Sequence, residues 1–168
     1  MPKIAVIGTT AWGMTLGIVL ARKGLNVSLW ARSEEEAERL TSKRPHLIPG
    51  GALPPTLKIT SSLKKALSRA SAVIMAVPSQ TMRRNIKLVR DHLKPSMLII
   101  SAAKGLEVGS NKRMTQVIAE EINPDLHANI CVLSGPNLFK EILKNKALEI
   151  NTHFWIKIEK FLSNVRIH

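Results

Sequence analysis

The chain has no tyrosine, three tryptophans and three phenylalanines, so aromatic residues make up only 4% of its 168 positions. Few flat rings leave few platforms for unstacked bases, which argues against a single-stranded nucleic-acid binder. There is one cysteine, Cys131. A lone thiol permits no disulfide framework within the chain, which fits a cytoplasmic protein. Its flanks, Ile130-Cys131-Val132-Leu133, predict a buried core thiol. No apolar run reaches the ~20 residues of a membrane span, and Met1-Pro2-Lys3 leads into a strand with no secretory apolar segment. His46 has no second histidine, cysteine or carboxylate at metal-ligand spacing, so it reads as a surface residue and no metal is expected. Acidic residues are also scarce: 12 against 25 lysines and arginines, a net charge of +13. Such an excess suits nucleic acid or anionic small molecules. The basic residues are spread along the chain and form no arm, which weighs against nucleic acid.

What remains is globular in composition, 45% hydrophobic and 22% charged, and long enough for one domain with a sizeable core. Lys3-Ile4-Ala5-Val6-Ile7 is an apolar, β-branched run. Gly8-Thr9-Thr10-Ala11-Trp12-Gly13 follows directly, and a helix-compatible stretch runs from Met14 to Lys23 before Gly24. Strand, glycine turn and helix are the opening of a βαβ dinucleotide-binding unit. Backbone N–H groups at the helix start would face a pyrophosphate. The usual G-x-G-x-x-G keeps its first and third glycines, Gly8 and Gly13, but Thr10 stands at the middle position. Its Cβ is expected to push phosphate away or shift it, and its hydroxyl can donate in partial compensation. An ordinary strand-to-helix turn without ligand is the alternative.

Asn26 to Trp30 reads as the second strand, and Arg32 stands at its tip where a carboxylate would select NAD. A guanidinium there can pair with a 2′-phosphate, which points to NADP(H); a solvated arginine at a strand end is the alternative. Ser33 reads as an N-cap before Glu34-Glu35-Glu36, whose carboxylates suit the helix dipole and are expected to be solvated. Residues 42 to 55 form a proline- and glycine-rich loop. Further strands are expected over Leu57–Thr60, Ala72–Val77, Met97–Ile100 and Ile130–Leu133. Helices are expected over Ser62–Arg69, from Pro78 to near Pro95, and over Arg113–Ile122. The alternation predicts an α/β, Rossmann-like, doubly wound and mostly parallel sheet. In such a sheet the strand ends carry the ligand site, so the tips at Gly8–Gly13, Arg32, Val77–Ser79 and Ala102–Glu107 should meet. Lys104 would bring a charge and three donors to that crevice; position alone does not separate this from an exposed loop lysine. Ser134-Gly135-Pro136 breaks the sixth strand, and a helix start near Asn137 would face the same crevice.

Gly8-x-x-x-Trp12-Gly13, Ala76-Val77-Pro78-Ser79-Gln80, Lys104-Gly105-Leu106-Glu107 and Leu133-Ser134-Gly135-Pro136-Asn137 occur in order. Together they resemble the N-terminal domain of bacterial-type NAD(P)-dependent glycerol-3-phosphate dehydrogenases. The resemblance runs from Lys3 to about Lys144. It divides the chain into a dinucleotide-binding domain, 1–144, and a divergent tail, 145–168, as if the chain were shortened and the family's helical C-terminal domain absent. It implies NADP(H) or NAD(H) as cofactor and dihydroxyacetone phosphate or glycerol 3-phosphate as substrate, in the supply of glycerophospholipid precursors. Ala11 and Trp12 would contact the cofactor phosphates, Arg32 and Ser33 its adenosine end, and Lys104 both cofactor and substrate. Gly135 and Asn137 would hold the substrate. Phe139 stands where the family has a small residue near the cofactor, and Leu47 replaces the tyrosine of its Tyr-Leu-Pro-Gly loop. The family's proton-transfer lysine belongs to the C-terminal domain, so the chain alone is expected to be inactive. Its protein partner would be a second copy or a C-terminal half.

Overall fold

The structure, a computed structural model, describes residues 2–42 and 53–133. Six parallel strands form one sheet in the order β3-β2-β1-β4-β5-β6. They are β1 (Lys3–Ile7), β2 (Asn26–Trp30), β3 (Leu57–Thr60), β4 (Ala70–Met75), β5 (Leu98–Ser101) and β6 (Ile130–Val132). Helices α1 (Ala11–Arg22), α2 (Glu34–Ser42), α3 (Leu63–Leu67), α4 (Met82–Val89) and α5 (Met114–Glu121) connect them. The order reverses between β1 and β4, where an open sheet offers a crevice beyond its carboxyl ends. The doubly wound reading of the sequence therefore holds.

Burial explains why these runs lie inside a sheet. Successive residues of β1 face opposite sides: Ile4 and Val6 pack with Leu16 and Leu20 of α1 and Leu40 of α2. Ala5 and Ile7 pack with Leu67 of α3, Ile86 of α4 and Val117 of α5. A strand covered on both faces has no polar side to show, which is why Ala72 to Met75 reads as continuous apolar sequence. Register then aligns the strand ends. Thr60 pairs with Trp30, Trp30 with Ile7, Ile7 with Met75, Met75 with Ser101 and Ser101 with Val132. The next amides continue the row: Ala76 N–H donates to Ile7, Ala102 N–H to Met75 and Leu133 N–H to Ser101. Loops that leave from one row must share one rim.

Several expectations are corrected. α1 begins at Ala11 rather than Met14, because Thr10 is its N-cap and accepts a hydrogen bond from Gly13 N–H. β4 spans Ala70–Met75 rather than Ala72–Val77. α3 is shorter than Ser62–Arg69: Ser62 is its cap, and Arg69 takes a left-handed φ of 57° beyond its end. Cys131 is only half-buried. Its strand is the last of the sheet and is paired on one side among the described residues. Residues 43–52 lie outside the described residues, and so do Leu47 and His46.

Candidate functional site

Two glycines shape the turn after β1. Gly8 has φ +117°, and a Cβ there would sit 2.6 Å from the carbonyl oxygen of Ala76. A Cβ on Gly13 would sit 2.1 Å from the Gly8 carbonyl oxygen. Both distances are too short for any side chain. Glycine is thus required by close backbone packing, and that need holds with or without a ligand. The turn places Ala11 and Trp12 at the start of α1, ahead of its first helical hydrogen bond, from Met14 N–H to Thr10 C=O. The N–H groups of that first turn have no partner inside the helix. The Thr10 hydroxyl donates to Ala76 C=O and accepts from Gly13 N–H, both at 3.2 Å.

The ends of β1, β4 and β5 enclose a cleft of about 300 Å³. Thr10 and Trp12 form one wall; Val77, Pro78, Ala102 and Ala103 line it with apolar surface, and Lys104 stands at its edge. The Lys104 ammonium lies 6.0 Å from the centre of the Trp12 ring, within reach of a cation–π attraction. The Trp12 indole N–H donates to Ala102 C=O at 3.0 Å, which ties the start of α1 to the end of β5. Three expected tips therefore meet in one place.

Arg32 lies in an adjoining cavity of about 280 Å³, lined also by Gly8, Thr9, Thr10, Trp30, Val77 and Glu36. The two cavities share Thr10, Val77 and Pro78. Here the sequence reading missed a carboxylate. Glu36, expected to be solvated, accepts from the Thr9 hydroxyl at 2.6 Å and from Arg32 N–H at 2.9 Å. Ser33 caps α2 as expected, its hydroxyl accepting from Glu36 N–H at 3.2 Å. Burial pushes the Glu36 carboxyl up, but the bonds from Thr9 and Arg32 and the nearby arginine charges outweigh it and hold it below the usual range. Position held the clue: a first-turn residue of the helix that follows β2 can reach back to the strand end.

Beyond Lys104, Arg83 on α4 forks onto Glu107 through two bonds of 2.8 Å. It also donates to Glu121 at 2.6 Å and to Glu120 at 2.8 Å. The Glu107 carboxyl is held at about 2, first by the Arg83 bond and then by the Ser110 hydroxyl. Lys112 pairs with Glu120. Beside them Gln80 donates to Leu106 C=O at 2.8 Å and accepts from Val108 N–H at 3.0 Å. Nothing local in the sequence signals Arg83, whose partners lie 24 to 38 residues away. Among the described residues no group of histidine, cysteine and carboxylate side chains could hold a metal ion.

Residues 3–156 match the model of the N-terminus of NAD-dependent glycerol-3-phosphate dehydrogenase. The chain belongs to this family. It is 56% identical over 147 residues to a Dehalococcoides mccartyi protein named a glycerol-3-phosphate dehydrogenase using NAD(P)+. That match covers 86% of this chain and 41% of the relative. A Mycobacterium bovis protein of the same name is 42% identical over 141 residues, 83% of this chain and 42% of its own. Among solved structures, a glycerol-3-phosphate dehydrogenase from Coxiella burnetii superposes with a TM-score of 0.73 at 29% identity. It is covered over 44% of its length, and this chain over 86%. The chain thus spans less than half the length of these relatives.

In this glycerol-3-phosphate dehydrogenase family member, Thr10, Trp12 and Lys104 line one cleft, and Gly8, Thr10 and Arg32 the adjoining cavity; Ala11 and Gly13 lie in the first turn of α1, and Ser33 caps α2. Gly135, Asn137 and Phe139 lie outside the described residues, as does the tail from 145 to 168. No described helix is long and apolar enough to cross a membrane.

Proposed function

We propose that the chain is the dinucleotide-binding part of a glycerol-3-phosphate dehydrogenase, taking NADP(H) or NAD(H) in the cleft between the β1 turn and the β5 loop. The observation that carries this reading is the meeting of the α1 N-terminus, the Trp12 ring and the Lys104 ammonium around one 300 Å³ cleft at the reversal point of the sheet. The donor set suits such a cofactor. The N-terminus of α1 and its helix dipole favour a pyrophosphate, and the apolar walls from Val77 to Ala103 suit a flat ring. Arg32 would reach a 2′-phosphate in the adjoining cavity, with Ser33 beside it. Phe139, Gly135 and Asn137 complete the reading on the strength of the resemblance alone.

Bound NAD(P)H would supply a hydride to the central carbonyl carbon of dihydroxyacetone phosphate, giving glycerol 3-phosphate. The part of Lys104 is to hold negative charge, on a phosphate or on the oxygen that becomes an alkoxide. No other described side chain at this rim is suited to supply the proton that oxygen needs. The 168 residues alone are therefore expected to bind cofactor without turning over. The test is titration of the purified chain with NADPH, followed by an NADPH-oxidation assay with dihydroxyacetone phosphate. Binding near micromolar, weakened in Lys104→Met, with no oxidation supports the reading. Absence of binding refutes it, and turnover above the Lys104→Met control refutes the inactivity.

A further inference from the structure

The segment from Ala102 to Arg113 joins β5 to α5 with little regular structure. It holds one bridge, between Leu106 and Arg113, backbone bonds from Glu107 N–H to Lys112 C=O and from Asn111 N–H to Glu107 C=O, and left-handed residues at Gly105, Gly109 and Asn111. Past Ala102 and Ala103 its apolar side chains do not anchor it to the core: Leu106 is 50% exposed and Val108 79%. Such a loop, left to itself, would sample many conformations, and ordering it on ligand binding would cost affinity.

It is instead gripped at three successive residues from the 3-10 turn Ser79–Thr81 and the first turn of α4 that follows it. Gln80 pairs with the backbone on both sides of Glu107, as a β-strand would: its amide N–H donates to Leu106 C=O and its oxygen accepts from Val108 N–H. Arg83, in the first turn of α4, forks onto the Glu107 side chain. Bidentate pairs of this kind fix orientation as well as distance. Ser79 lies against the loop too, its hydroxyl 3.3 Å from where a Cβ on Gly105 would stand. On the other flank the Trp12 indole holds Ala102 C=O. Lys104 is carried between these two fixed points.

Resting on the proposed site, we propose that Gln80 and Arg83 are positioning residues, which preset the β5–α5 loop so that Lys104 stands at the cleft before a phosphorylated ligand arrives. Three of the chain's 12 acidic residues, Glu107, Glu120 and Glu121, surround Arg83. They keep its charge engaged with the loop and α5, while Lys104 lines the cleft.

The test is a double-mutant cycle on the whole 168-residue chain, with NADPH as the probe. Gln80→Ala, Arg83→Met and Arg83→Lys are each made with Lys104 present and with Lys104→Met. Lys104→Met should weaken NADPH binding ~10-fold or more, the loss of one charge-assisted contact. With Lys104 present, Gln80→Ala and Arg83→Met should each weaken it several-fold, and Arg83→Lys, which keeps the charge, should weaken it less. In the Lys104→Met background the same changes should shift affinity by less than ~2-fold. Equal effects in both backgrounds, or none in either, overturn the proposal. Amide exchange at Val108 reads the grip directly and should quicken in Gln80→Ala; an unchanged rate also overturns it. If Arg83→Met does not fold, Gln80→Ala decides, since it removes no ion pair. An unaltered affinity in Lys104→Met alone sinks the site itself, which is a different failure from a loose loop.

Discussion

The glycine turn after β1 and the loop after β5 face each other across the cleft, and they are held in opposite ways. The turn is fixed by hard contacts between backbones: Gly8 against Ala76 and Gly13 against Gly8. The loop is fixed by long polar side chains that arrive from α4 and the turn before it, more than twenty residues away in sequence. One wall depends on excluded volume, which neither salt nor pH changes. The other depends on charge and hydrogen bonding at a half-exposed surface, which both change. The turn is thus held by contacts that solution conditions leave alone, and the lysine-bearing loop by contacts that they can weaken.

The sharpest way to break this contrast is at Gly13. Gly13→Val places atoms where the Gly8 carbonyl oxygen stands, and should cost ~3 kcal/mol or more. Urea unfolding would measure it, and the loss should be the same at low and high salt. A tolerated valine would show that the turn is not set by contact at all.

Removing the loop's anchor should cost less and depend on salt. Arg83→Met is expected to lower the melting temperature by ~3 °C at low ionic strength, the scale of partly exposed ion pairs. The gap should narrow in 1 M salt. A gap insensitive to salt would mean that Arg83 acts by packing its methylenes.

The loop should also carry an acid signature that the turn lacks. The Glu107 carboxyl sits at about 2 in the folded chain against an ordinary 4.5. A group depressed on folding stabilises the fold above its unfolded value and loses that contribution as pH falls toward its folded one. The advantage of the native chain over Glu107→Gln should therefore be full above pH 4.5 and fade between 4.5 and about 2. Thermal melts of the two chains across that range test it. A constant difference would remove the Arg83 fork as the cause.

The smallest effect is expected at Thr10. Thr10→Gly removes a cap that glycine partly replaces, so stability should fall by only a few tenths of a kcal/mol. It also restores the middle glycine of the phosphate-binding pattern, and NADPH affinity should rise. A fall in affinity would show that the Thr10 hydroxyl, rather than an open backbone, serves the ligand.

Local patterns made the elements legible. Apolar runs bounded by glycine and proline located all six strands, because a strand covered on both faces must be apolar throughout. Their exact ends were less legible. α1 starts three residues earlier than its glycine content suggests, since Gly13 serves close packing inside the first helical turn rather than a loop. The tips at Gly8–Gly13 and Lys104 were legible as neighbours on one rim because they follow buried strands. Glu36, Gln80 and Arg83 were not legible as partners of those tips. Each acts on residues brought near only by the sheet, and an exposed glutamate or arginine on a helix reads the same whether or not it has such a partner.

The sequence by itself determined the class of fold, the family and which loops line the rim, because strand periodicity, the glycine turn and the short motifs at the strand ends are all local properties. Only the tertiary structure decided how the rim is held: the Thr10 hydroxyl turned inward, the Glu36 carboxylate at the Thr9 hydroxyl, and Gln80 and Arg83 on the lysine loop. Those contacts join residues 24 or more positions apart, and what sets such distances is the pairing register of the strands, a property of the folded sheet.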